Sequence, residues 1–410
     1  MPLASSATSY GAVTKSFHWL TALLILANLP LGWFAAEMAH DIAATGGTEA
    51  QVARAALLFS IHKTTGIAVF FVAVLRILWA LTQTKPGLLN GDRPLEAWAA
   101  ETAHWLLYGS LVAVPMSGWV HHAATTGFAP IWWPFGQTLP FVPKSESVSE
   151  IAATLHFVFV VLLAAALAAH VAGALKHHLL DRDATLRRML PGSLPAQPTT
   201  RQPGHGLPLV AALAVWAGAL GGADALGWFA KPATEAASTL AAVESDWQMR
   251  EGSLGITIRQ MGSEVTGRFA EWTADIAYAG TAGPEGRHGT VEVVVAIPSL
   301  TLGSVTEQAM GRDFFNAEAH PTATFAADLF ATDEGENKDH VARGTLTIKG
   351  QSVPVEMPFT LDIEGDTARA SGGLTVDRRE FGIGEGTQDP GQLGFEVEVF
   401  FDLVAQRAGG

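Results

Sequence analysis

The sequence contains no cysteine, which excludes disulfides, iron–sulfur clusters and thiolate zinc sites. Any redox chemistry must therefore rest on histidine, of which there are 14. Charge is also scarce, at 16% of residues against about 25% in an average soluble protein. Basic residues are the scarcer sign, 25 Lys+Arg against 39 Asp+Glu. Neutralising a phosphate backbone needs clustered Lys and Arg, so nucleic-acid binding is excluded. A cleavable signal peptide is not expected at the start either. The segment before Phe17 lacks a basic run, and the apolar stretch after it is long enough to span a bilayer.

The scarcity of charge is uneven. Residues 1–243 hold 13 Lys+Arg and 12 Asp+Glu, whereas residues 244–410 hold 12 and 27. The net charge of -14 therefore sits almost wholly in the second part. The first part instead carries long apolar runs. A hydrocarbon core about 30 Å thick needs about 20 apolar helical residues, and five stretches qualify: 17–36, 61–81, 98–120, 151–176 and 207–230. Pro30 and Pro115 fall inside two of them, which a bundle tolerates because neighbouring helices re-satisfy the backbone.

Lys and Arg collect in cytoplasmic loops. With the N-terminus inside, the inner segments hold Lys15, Lys85, Arg93, Lys176, Arg182, Arg187, Arg188 and Arg201. The outer loops hold only Arg54 and Lys144. This bias predicts a multi-pass membrane protein with a cytoplasmic N-terminus and everything after the fifth span outside, which in a diderm bacterium means an inner-membrane protein with its C-terminal domain in the periplasm. Residues 204–225 also read as an internal signal sequence that could be cleaved, an alternative that leaves the topology unchanged.

Ionisable groups inside a membrane are costly and mark function. His18 lies near the inner end of the first span and His62 opens the second on the outer side. His156 and His170 share the fourth span, fourteen residues apart, which returns to nearly the same helix face after a rise of about 21 Å. His170 then stands at the depth of His18, and His156 at the depth of His62. Two stacked bis-histidine haem sites explain this matching in depth. The competing reading is a set of hydrogen-bonded structural histidines. His104, in the third span, has no partner at its level on this reading and is taken as structural or as part of a small-molecule site.

Over residues 10–190 the sequence resembles the bacterial cytochrome b561, or nickel-hydrogenase type b cytochrome, family. The matching pieces are FHWL at 17–20, IHKTTG at 61–66, HWLLYGSLVAVPMSGW at 104–119, and the stretch from LHF to RRMLP over 155–191. The resemblance implies a four-span protein with two haem b groups, axially held by His18, His62, His156 and His170, that exchanges electrons with ubiquinone. One branch of the family oxidises superoxide at the outer face. Lys15, Arg76, Lys176, His177 and His178 are the candidates for a quinone headgroup near the inner haem. For superoxide, Arg54, Lys63 and Lys144 are the available outer cations.

A linker rich in Pro, Gly and Thr follows at 191–206, then the fifth span at 207–230 and a connector at 231–245. Beyond it the period becomes two: Val291 to Ile297, Val353 to Ile363 and Phe395 to Leu403 each alternate apolar and polar. That is the pattern of half-buried antiparallel strands, and some 160 residues of them can close into a barrel of about eight strands. Residues 246–407 resemble the YceI-like family of lipocalin-like barrels that bind polyisoprenoid lipids. GRFAEWTADI at 267–276, GRDFFNAEAHPTATF at 311–325, GTLTIKGQSVPVEM at 344–357 and LTVDRREFGIG at 374–384 carry this resemblance. The expected cavity wall includes Phe269, Phe325, Val355, Met357, Phe359, Phe381, Phe395, Val397 and Val399. Arg378 and Arg379 read as surface or mouth residues. His288, His320 and His340 are scattered and predict no metal site.

The expected fold is thus an all-α membrane bundle, four di-haem helices plus a fifth, followed by an all-β antiparallel barrel. No catalytic Ser–His–acid set, carboxylate pair or phosphate loop is present in the second part. The leading functional expectation is an electron-transfer oxidoreductase linking an outer donor, superoxide or a lipid quinone, to the ubiquinone pool. The alternative is a membrane-anchored polyisoprenoid-binding or shuttling protein in which haem is structural.

Overall fold

The computed structural model describes residues 2–45, 48–125, 129–192, 194–200, 202, 204–230, 240, 245–332 and 339–408. Arg201 and nearly all of the expected connector at 231–245 lie outside the described residues. The chain divides into two compact units, one helical and one built mainly on a sheet.

The helices are α1 (Ala12–Thr45), α2 (Glu49–Leu81), α3 (Pro94–Ala124), α4 (Glu146–Lys176) and α5 (Gly206–Ala225), of which Ala36–Leu57, covering the end of α1 and the start of α2, is grouped with the second unit. The ends follow from local chemistry. Pro94 opens α3, where a missing N–H costs nothing. Ser145 caps α4, its hydroxyl accepting from the Val148 amide at 3.4 Å. The α5 helix stops at Ala225, and Gly227 takes a positive φ of 75° just beyond.

Four helical stretches, Ala12–Ile42, Ala50–Leu81, Ser147–Asp181 and Gly206–Ala225, have the length and apolarity to cross a membrane. This is a membrane protein. The α3 helix is long enough at 31 residues, but it carries His104, Tyr108, Ser110, Ser117, His121 and His122, which dilute its hydropathy. It packs against both α4 and α5. The α3–α5 contact is close: a Cβ added to Gly109 would stand 1.6 Å from Trp216 Cη2, so the glycine supplies the notch in which the indole lies.

The second unit is a ten-stranded antiparallel sheet. Its strands are β1 (Trp247–Gln260), β2 (Ser263–Phe269), β3 (Trp272–Tyr278), β4 (Arg287–Ala296), β5 (Leu300–Thr301), β6 (Thr322–Ala331), β7 (Asp339–Ile348), β8 (Gln351–Glu364), β9 (Thr367–Asp377) and β10 (Leu393–Arg407). They are ordered β3-β4-β6-β7-β8-β9-β10-β1-β2-β5. The strands number ten rather than the expected about eight, and β5 is only two residues long, too short to show a period. Met261 and Gly262, both at positive φ (48° and 79°), make the tight β1–β2 turn that matches strand twist.

The sheet curls into a lipocalin-like barrel, but its ladder starts at β3 and ends at β5. Side chains span the gap. Ser245 Oγ donates to Ile276 O at 2.9 Å and accepts from Ile276 N at 2.6 Å. Trp247, 2% exposed, donates its indole N–H to Tyr278 O at 3.4 Å. Inside, Ile256, Val265, Phe269, Ile297, Leu300 and Ala323 form the main core cluster. A short helix at Thr306–Met310 precedes the GRDFFN loop.

Candidate functional site

The structure brings together the two histidine pairs expected from depth. The rings of His18 on α1 and His170 on α4 have centroids 6.1 Å apart. Those of His62 on α2 and His156 on α4 are 6.4 Å apart. Two imidazoles on opposite sides of one metal need a metal–nitrogen bond of about 2 Å each. Adding about 1 Å from each nitrogen to its ring centre gives about 6 Å in all. Both pairs meet that spacing.

The outer pair is also oriented for ligation. His62 Nδ1 lies 3.1 Å from Asn28 O and His156 Nδ1 lies 2.8 Å from Val114 O. A carbonyl can only accept, so each Nδ1 carries the proton and each Nε2 keeps its lone pair for a metal. Two glycines make room for these rings. A Cβ on Gly32 would stand 2.5 Å from His62 Cε1, and one on Gly118 would stand 3.0 Å from His156 Cε1. The residues present therefore fit a haem. The glycines gave no signal in the sequence, since a notch depends on the facing helix.

The inner level is more crowded than the sequence suggested. His104 does have a partner: its ring lies 5.3 Å from that of His170. Ten residues into α3 from Pro94, it reaches the depth that His170 reaches six residues before the end of antiparallel α4. Arg76 Nη2 lies 3.5 Å from His18 Nδ1, and the guanidinium sits 5.4 Å over the Tyr108 ring.

The other headgroup candidates are engaged elsewhere, apart from His178, which is exposed. Lys15 donates to Leu190 O at 2.9 Å and Gly192 O at 2.7 Å. Lys176 pairs with Glu96 at 2.9 Å and Asp181 at 2.8 Å. His177 Nδ1 bonds Asp183 at 2.6 Å. Burial alone would raise the Asp183 carboxyl, but the Thr185 amide and hydroxyl together with His177 hold it below its ordinary pKa. Of the outer cations, Lys63 is buried, Lys144 donates to Thr125 O at 2.7 Å, and Arg54 is exposed.

The barrel encloses a cavity of about 250 Å³. Phe269, Phe325, Met357, Phe359, Phe381, Val397 and Val399 line it as expected. Two expected residues do not. Val355 packs against the cluster of Phe325, Leu329 and Ala342. Phe395 lies where the β1–β10 register shifts between Ile258 and Gln260, and its ring stacks under Arg379 at 3.9 Å.

Arg378 departs further from its reading as a surface residue. It is 2% exposed and lines the cavity. It donates to the carbonyls of Gly394 (3.0 Å), Ile383 (2.7 Å), Gly384 (2.7 Å), Thr387 (2.6 Å) and Leu393 (3.3 Å). Nor are all the barrel histidines scattered. His288 and His340 have rings 6.2 Å apart, and the Tyr278 hydroxyl lies 3.0 Å from His340 Nε2. Burial raises the Tyr278 pKa. Strand pairing that joins β3 to β4, and β4 through β6 to β7, makes this cluster, and spacing in the sequence does not disclose it.

Residues 9–192 match the family model for prokaryotic cytochrome b561, and residues 245–405 match that for the YceI-like domain. The first region is similar to Cytochrome b561 homolog 2 of Escherichia coli (strain K12). Identity is 29% over 195 residues, covering 46% of this chain and 95% of that protein. It is also similar to a protein named Probable superoxide oxidase CybB from Yersinia pestis, at 24% over 183 residues, covering 44% of this chain and 96% of that one. Among solved structures, Burkholderia cenocepacia BcnA is 28% identical with a TM-score of 0.34, covering 38% of this chain and 96% of that chain.

Proposed function

This chain fuses a prokaryotic cytochrome b561 region to a YceI-like domain, a membrane electron-transfer unit that binds haem b, and from that premise we propose a di-haem quinone oxidoreductase. His18 with His170, and His62 with His156, hold the two b haems. Bound there, haem supplies reversible one-electron transfer. The observation that carries this reading is the pair of ring separations, 6.1 and 6.4 Å, on one shared helix.

Backbone carbonyls prepare the outer level and a side chain the inner one. Asn28 O and Val114 O fix the outer rings through Nδ1. At the inner level Arg76 stands beside His18, where its guanidinium can donate to a ubiquinone carbonyl. Electrons pass between an outer donor, superoxide or a lipid quinone, and the ubiquinone pool. The bias of cations to the inner segments supports an inner-membrane protein with a cytoplasmic N-terminus and a periplasmic barrel. In that barrel the apolar cavity accepts an isoprenoid quinone or related lipid.

The test is a stopped-flow mix of purified protein with superoxide or with a quinol, read at the haem bands, followed by addition of ubiquinone. Rapid reduction and ubiquinone-dependent reoxidation support the proposal. Haem that neither donor reduces contradicts it. The cavity favours a second reading, an anchored lipid-binding protein with structural haem. On that reading, lipid occupancy of the barrel is unchanged in His62→Ala and donor-driven haem reduction is absent in the parent protein.

A further inference from the structure

The cavity lining has a charge pattern that bears on what it holds. Arg378 is the only ionisable Lys, Arg, Asp or Glu among the described lining residues. A guanidinium has five N–H donors, and Arg378 directs its donors to five backbone carbonyls. No donor is left for an anionic headgroup. The nearby cations are engaged outside the lining: Lys349 donates to Gly382 O at 2.7 Å and Asp313 O at 3.4 Å, and Arg379 bonds Asp377 at 2.9 Å. Arg312, two residues before the lining Phe314, is exposed to solvent. Around the cavity, residues 244–410 carry 27 acidic and 12 basic side chains, a field that repels anions.

The same end of the cavity holds neutral polar groups. Gln260 closes β1, opposite Leu393 of β10, Thr387 and Gln392 line the cavity beside it, and Gln308 is a further neutral lining residue. Gln260 is 7% exposed, and its Oε1 is buried without a hydrogen-bond partner. A buried orphan acceptor is unfavourable until something donates to it. A carboxamide can also turn to present its NH₂, so it serves a hydroxyl or a carbonyl oxygen but provides no counter-charge.

We infer that this cavity selects an uncharged prenyl lipid, an alcohol, quinone or quinol, over a prenyl phosphate, with Gln260 as the residue that reads the headgroup. The inference rests on the proposed lipid-binding role of the barrel. A phosphorylated headgroup entering here would lose its hydration and find, among the described lining residues, no Lys and no Arg with an uncommitted N–H, so its desolvation cost is poorly offset.

Farnesol and farnesyl diphosphate share one chain and differ in headgroup charge. Equilibrium binding of each, radiolabelled, to the full-length holoprotein in detergent tests the inference. Ala370→Phe, which fills the wall at a lining position, serves as the control for binding inside the cavity. Farnesol is expected to bind at least tenfold more tightly than the diphosphate, and Ala370→Phe to remove that binding. Gln260→Leu is expected to weaken farnesol about tenfold while the haem spectrum and thermal melting stay as in the parent. Equal or tighter binding of the diphosphate overturns the inference and leaves the lipid-binding reading standing. Binding of neither probe, or farnesol binding insensitive to Ala370→Phe, overturns the lipid-binding reading itself. Farnesol binding unaffected by Gln260→Leu removes Gln260 from the role assigned here.

Discussion

Gly32 on α1 faces His62 on α2 so closely that a Cβ on the glycine would stand 2.5 Å from Cε1 and 2.8 Å from Nδ1 of the ring. The histidine therefore owes its place to a missing methyl group on the opposing helix. Gly118 stands in the same relation to His156, at 3.0 Å.

Gly32→Ala is accordingly expected to push the His62 ring off Asn28 O and to disturb the outer haem alone. Overpacking of this kind costs about 1–3 kcal/mol. Redox titration of the variant should show one of two haem components shifted or lost and the other unchanged. Unchanged components would mean that the helices relax around the methyl.

Ser245→Ala removes both side-chain bonds that fasten the start of β1 to Ile276 of β3. Loss of a bonded buried hydroxyl costs about 1–3 kcal/mol. Faster hydrogen exchange at the Ile276 amide is expected, with exchange inside the β7–β8 ladder unchanged. A uniform change across the sheet would instead indicate global destabilisation.

Arg378→Ala leaves five carbonyls without their shared donor, a loss expected to destabilise the barrel by about 3–5 kcal/mol. Arg378→Lys should recover only part of it, because an ammonium cannot reproduce the planar fork. Denaturant unfolding of the barrel measures both. A neutral Arg378→Ala would contradict the account of the 383–394 loop.

Asp377 gives a pH dependence with a definite sign. Its hydrogen bonds from Arg379, first from the side chain and then from the backbone amide, hold its carboxyl below the ordinary range. A depressed folded-state pKa stabilises the barrel above the unfolded value, about 3.9 for Asp. That contribution is lost as pH falls through the folded-state pKa. Asp377→Asn should flatten the acid limb of a melting-temperature profile between about pH 5 and pH 2. An unchanged limb would show that the pair is screened by water.

Much of the architecture was legible in the sequence because it rests on long repeats. Apolar runs of bilayer length gave the helices, and period-two alternation gave β8 and β10. Histidine depth gave both pairs, because fourteen residues fix a face and a rise at once. What escaped depends on contacts between distant segments. The pairing of His104 with His170, the burial of Arg378 and the approach of His288, His340 and Tyr278 are set by neighbouring helices or strands. Phe395 was misplaced for a related reason: alternation holds only where register is regular, and β10 shifts against β1 just there.

The central claim is that one chain holds two haems through two separate histidine pairs. Haem quantitation by pyridine haemochrome, together with spectra of His62→Ala and His18→Ala, tests it most directly. The account predicts two haem b per parent chain, one per chain in each variant, and retained α-bands of different position or potential. One haem in the parent, or both haems lost or both retained in each variant, would contradict it.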